Sequence, residues 1–106
     1  MNDIKLMNKA ADNIRILAAS MVEKAKSGHP GGAMGGADFV NVLFSEFLVY
    51  DPKNPAWEGR DRYFQDPGHM SPMLYSVLAL AGKFTIDELK EFRQWGSVTP
   101  GHPELN

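Results

Sequence analysis

Apolar residues recur at spacings of three and four near the start of the chain: Met7, Ala10, Ala11, Ile14, Leu17, Ala18, Met21, Val22 and Ala25. That period places them on one face of a long amphipathic helix. Asn2 or Asp3 is placed to cap it, Lys24 and Lys26 suit its negative end, and Gly28 reads as its stop. A second helix is predicted from about Ala37 to Tyr50. Phe39, Val40, Val42, Leu43, Phe44, Phe47 and Leu48 make it apolar over most of its girth, so it is expected to be buried on several sides. Pro52 and Pro55 end it. Arg60–Gln65 is the one strand candidate, with Tyr63 and Phe64 as good strand material and its best part at Arg62–Gln65. A third helix starts at Ser71-Pro72, with Ser as N-cap, and runs to Gly82. A fourth opens on the capping box Thr85–Glu88 and presents Leu89, Phe92 and Trp95. The pattern thus predicts a mostly α chain of about four helices and one short strand, a strand with no partner in the chain. Such an edge, and so apolar a second helix, predict self-association.

Composition narrows the chemistry. The 106 residues make one domain or less. Eleven Lys and Arg against 13 Asp and Glu give a net charge of −2, which argues against nucleic acid as a partner. Cysteine is absent, which excludes disulfides, thiol catalysis and thiolate metal sites. No apolar run approaches the roughly 20 residues that span a bilayer. The Met1–Lys5 segment lacks the features of a signal peptide. The expected setting is cytoplasmic, with no membrane partner.

The chain has three histidines and each follows a glycine: Gly28-His29, Gly68-His69 and Gly101-His102. Chance gives that arrangement about one time in a thousand even at this chain's raised share of 10 glycines in 106. Singly, each is most simply a turn or capping residue. Together they point to a site, because loops on a rigid scaffold concentrate binding residues and glycine permits close backbone approach to a ligand. His69 also precedes the Ser71-Pro72 helix start, where unpaired N–H groups favour a phosphate. The segment Ser27–Gly36 holds five glycines and reads either as a hinge or as a surface open to a cofactor or substrate. Three histidines on zinc would suit a hydrolase, yet their separations of 40 and 33 residues are not local ligand spacings. Phe39, Phe44, Phe47, Phe92 and Trp95 read as core, and Glu88 with Glu91 as a solvated face.

Read in order, these motifs resemble the N-terminal end of the transketolases. The resemblance runs through Lys24–Gly31, Met34-Gly35, Ala37-Asp38, Asn54–Trp57, Arg60–Arg62, Gly68-His69, Ser71-Pro72, Leu74-Tyr75, Phe92–Gln94 and Thr99–Glu104. It implies a parent α/β thiamine diphosphate-binding fold with a central parallel sheet. Residues 1–106 would be a single N-terminal fragment of its diphosphate-binding domain. The implied activity moves a two-carbon ketol unit between sugar phosphates. The implied cofactors are thiamine diphosphate and Mg2+ or Ca2+, with the metal ligands outside this chain, since it contains no Gly-Asp-Gly. By the same resemblance His29 and His102 are the catalytic, substrate-side residues, while Gly68 and His69 face the cofactor diphosphate. The implied partners are sugar phosphates, the rest of the transketolase chain and a second subunit in a homodimer. The fragment alone is expected to be inactive. The pattern departs from the family at Pro67 and Met70, and Gly32 and Gly36 make the first loop looser than is common. A deoxyxylulose-phosphate synthase, which shares similar loops, and a non-catalytic helical interaction module are the rival readings.

Overall fold

The computed structural model describes residues 3–103. Asn2, the alternative cap, and Glu104, the last residue of the third histidine segment, lie outside the described residues. The first helix, α1, spans Ile4–Ala25, and the Asp3 side chain accepts from the Lys5 amide at 3.2 Å. It ends earlier than Gly28 suggested. Lys26 takes the left-handed conformation (φ 53°), and the amides of Lys26 and Ser27 turn back to Glu23 and Val22 carbonyls. A left-handed residue closes a helix in this way by satisfying its last carbonyls.

Two elements occupy the region read as a hinge and a second helix. Pro30–Gly35 forms a short helix, α2, with Pro in its first turn, and α3 covers only Ala37–Val42. The chain then widens into a π turn at Leu43–Phe47, where the Leu48 amide reaches five residues back to the Leu43 carbonyl at 2.9 Å. Leu48 is already extended, so the predicted helix stops short of Tyr50. A reciprocal clasp explains the exit: the Val49 amide donates to the Asp61 carboxylate at 2.8 Å, and the Asp61 amide donates to the Val49 carbonyl at 2.6 Å.

No strand forms among the described residues, which corrects the reading of Arg62–Gln65. The segment is irregular there because nothing lies beside it to complete a ladder. A 3-10 turn at Gly68–Met70 leads into α4 at Ser71–Leu80, and α5 covers Ile86–Lys90. The capping box forms, with Thr85 and Glu88 each bonding the other's amide, at 3.1 and 2.9 Å. Ser71 does not act as the N-cap of α4. It is the first helical residue, and its hydroxyl is used elsewhere.

The face of α1 meets α2, α3 and α4. Ala18, Ala33 and Ala37 are fully buried where these helices meet, and such short side chains let backbones approach closely. Ile14, Val40, Phe44, Met73 and Val77 complete this first core. Met21, Tyr75, Leu89 and Phe92 form a second core under α5. Arg15 on α1 reaches Asp38 on α3 at 2.8 Å, an exposed pair of the kind that contributes little. The expected all-round burial of the second helix fails. Phe44 is buried, yet Phe39 and Phe47 are 68% and 69% exposed, and Trp95 is fully exposed. Their outward faces find no covering element among the described residues, so these three are not core. No helix is long and apolar enough to cross a membrane among the described residues.

Tyr50 and Tyr63 meet the Phe44 ring edge-on, with centroids 5.3 and 5.1 Å away. Burial raises both phenol pKa values, because it penalises the phenolate. Folding therefore favours the neutral form. Its contribution is complete below the unfolded tyrosine value of ~10 and is lost as pH rises through the higher folded values. Urea unfolding followed from pH 9 to 11 is expected to show falling stability, and Tyr63→Phe is expected to flatten that fall.

Candidate functional site

The three Gly-His segments come from separate parts of the chain, and the packing of α1, α4 and α5 brings them to one edge. His29 is the N-cap residue of α2 and makes no side-chain capping bond. His69 sits in the 3-10 turn before α4. Their rings lie 4.4 Å apart, tilted by 44°. His102 rests on the second segment: a Cβ added to Gly68 would stand 3.0 Å from His102 Nδ1 and 3.3 Å from its Cγ. All four predicted site residues are thus brought together. His29 and His102 are exposed and His69 is half-buried.

The glycines of the three segments also have a packing role. Each leaves room for a neighbouring side chain within the wall. A Cβ at Gly28, where φ is +123°, would be 3.2 Å from the Phe92 ring and from Val22 Cγ2. A Cβ at Gly101 would be 2.9 Å from Arg93 Nε. The three segments therefore nest on Phe92, His102 and Arg93 respectively.

The departures at Met70, Gly32 and Gly36 explain one another. A Cβ at Gly32 would be 2.9 Å from Met70 Cγ, and one at Gly36 would be 2.6 Å from Met73 Sδ. The loop made loose by glycine is filled by methionine, whose flexible thioether suits irregular gaps. Because Met73 is only 3% exposed, it has little room to retreat. Gly36→Ala is expected to cost about 1–3 kcal/mol by overpacking. A thermal melt checks this, and Met73→Ala is expected to cost less in the Gly36→Ala background than in the unsubstituted chain.

The segment before His102 is fastened by residues that the sequence marks only for other reasons. Ser71 Oγ donates to the Gly101 carbonyl at 2.6 Å, and the Tyr75 hydroxyl donates to the Pro100 carbonyl at 2.5 Å. Thr99, fully buried, donates from Oγ1 to the Glu88 carbonyl at 3.0 Å. The Arg93 amide donates to the Thr99 carbonyl at 3.0 Å. Ser71, Tyr75 and Thr99 carry no local signal of this duty, since each bond crosses between elements.

No group of three or more His, Asp and Glu residues is placed to hold a metal ion among the described residues. The tri-histidine zinc reading thus gains no support: the His29 and His69 rings meet at a 44° tilt, and His102 lies against Gly68. What remains is a wall of imidazoles braced on helices, able to donate hydrogen bonds and carry protons to an oxygen-rich ligand.

The helical scaffold that carries this wall belongs to a cofactor-binding domain. Residues 6–106 match the family model described as "Transketolase, thiamine diphosphate binding domain", and the chain belongs to that family. It is 51% identical over 104 residues to "Transketolase-1, chloroplastic" of Arabidopsis thaliana, covering 96% of this chain and 14% of the relative. It is 51% identical over 96 residues to a transketolase of Geobacillus stearothermophilus, covering 90% of this chain and 14% of that protein. The crystal structure of a Campylobacter jejuni transketolase superposes with a TM-score of 0.89 at 47% identity, over 97% of this chain and 16% of that one. A Pichia stipitis transketolase solved with sedoheptulose 7-phosphate superposes at 0.88 with 44% identity, over 92% and 14%. The chain spans 14% of the length of the two curated relatives named.

Proposed function

We propose that this chain supplies the histidine wall of a transketolase, which transfers two-carbon ketol units between sugar phosphates. The observation that carries this reading is the meeting of His29, His69 and His102 at one edge. Residues 1–106 act as the N-terminal part of the diphosphate-binding domain. Bound thiamine diphosphate supplies the electron sink for the carbon chemistry. His69, held before α4 beside Gly68, donates a ring N–H to a diphosphate oxygen. His29 and His102, both exposed, face the substrate. There they bond its hydroxyl groups and hold a proton near the reacting carbons. The wall presents donors to an anion, and by the family resemblance Mg2+ or Ca2+ takes its ligands from the longer polypeptide.

Sugar phosphates as substrates accord with the ligand in the Pichia stipitis structure. The partners are the remainder of a transketolase polypeptide and a second copy in a homodimer, and the compartment is the cytoplasm. Grafting residues 6–106 into the Geobacillus enzyme in place of its own segment tests the reading. Ketol transfer is expected to be retained by the chimera and to be undetectable for the 106-residue chain alone. A folded chimera that binds thiamine diphosphate yet transfers nothing would refute it.

A further inference from the structure

Arg93 stands just after α5 in the left-handed region, with φ at 63°. Glycine takes that conformation without steric cost, whereas a residue with a Cβ is strained there. The chain places a glycine in the same region three residues later, at Gly96, yet keeps an arginine at 93. The Arg93 Nε is also buried without a hydrogen-bond partner, a second cost. Two penalties at one residue call for a compensating role of its side chain.

The contacts define that role. Nη1 donates to Ser27 Oγ at 2.9 Å, and the guanidinium lies over the Phe92 ring, 5.7 Å from its centroid. Its Nε is 3.6 Å from where a Cβ of Gly28 would stand and 2.9 Å from that of Gly101. The backbone amide meanwhile holds Thr99. One side chain thus touches the residues leading into His29 and those leading into His102. Arg93 makes no such contact with the segment of His69, which runs into α4 and meets the other two only through the His29 ring, His102 and the Ser71–Gly101 bond. We propose that Arg93 is a positioning residue that fixes His29 relative to His102 and so sets the substrate side of the wall, acting on the diphosphate side only indirectly. The proposal rests on the transketolase reading above.

Arg93→Gly separates this role from plain stability, because it relaxes the backbone while deleting the clamp. In the chimera, turnover is expected to fall about a hundredfold, the size of loss that small misplacements produce. The thermal midpoint and thiamine diphosphate affinity are expected to stay within a few degrees and about twofold. Arg93→Lys keeps the charge but loses the planar stack, and is expected to recover little of the turnover. In the 106-residue chain, amide hydrogen exchange at Gly28 and Gly101 is expected to accelerate together in Arg93→Gly, and by more than at His69. Unchanged exchange at both glycines overturns the proposal, as does cofactor affinity falling in step with turnover. An inactive unsubstituted chimera refutes the transketolase reading instead, and the exchange measurement still decides the clamp.

Discussion

Phe92→Ala is expected to be the most damaging single truncation in the second core, at about 3–5 kcal/mol. Phe92 is 1% exposed and packs with Met21, Tyr75 and Leu89. It is also the floor under Gly28 and the face under the Arg93 guanidinium. Small domains hold about 5–15 kcal/mol in total, so the loss approaches the whole reserve. Urea unfolding should show a lower midpoint with an unchanged slope, the mark of lost stability without a changed denatured state. Phe92→Leu should recover more than half of it. If the alanine variant lost under 1 kcal/mol, the second core would not be the support for the first histidine segment.

His102→Ala is expected to leave the fold nearly untouched and to disable the site. The side chain is exposed, and surface changes of that kind fall within about 0.5 kcal/mol. In the grafted enzyme, kcat/KM is expected to fall by about 10²–10³, as for removal of one donor aimed at developing charge. Steady-state kinetics beside a thermal melt separate the two quantities. An equal loss of stability and turnover would mean that His102 acts as a wedge against Gly68.

Much of this was legible in the sequence. The apolar period of α1, the Thr85 capping box and the punctuation by Gly28, Gly68 and Gly101 are local signals, and each marks a real feature. The resemblance of the ordered segments carried the family. The short α2 was hidden because five glycines in Ser27–Gly36 lower helix propensity, and only burial of Ala33 and packing against α1 and α4 offset that. The strand expected at Arg62–Gln65 does not form because strand-favouring side chains need a neighbouring strand, which no window of sequence can show. Helical spacing reads Trp95, Phe39 and Phe47 as core, but spacing cannot tell a covered face from an uncovered one. Arg93 was silent for a different reason. Its contacts with Ser27 and Gly101 are tertiary, and a single cation beside an aromatic has many ordinary uses.

Two glycines of α2 stand apart from the rest. A Cβ at Gly31 or Gly35 would meet nothing within 4 Å, and neither backbone is left-handed. Alanine there should strengthen the isolated chain by about 0.5–1 kcal/mol at each position, which a melt of the double variant can show. Four residues apart on one helix, the two form a bare strip beside His29. The chain forgoes easy stability along that strip. An engineer seeking only a sturdier protein would fill it first, and the filled version, returned to a full-length enzyme, would reveal what the strip is kept clear for.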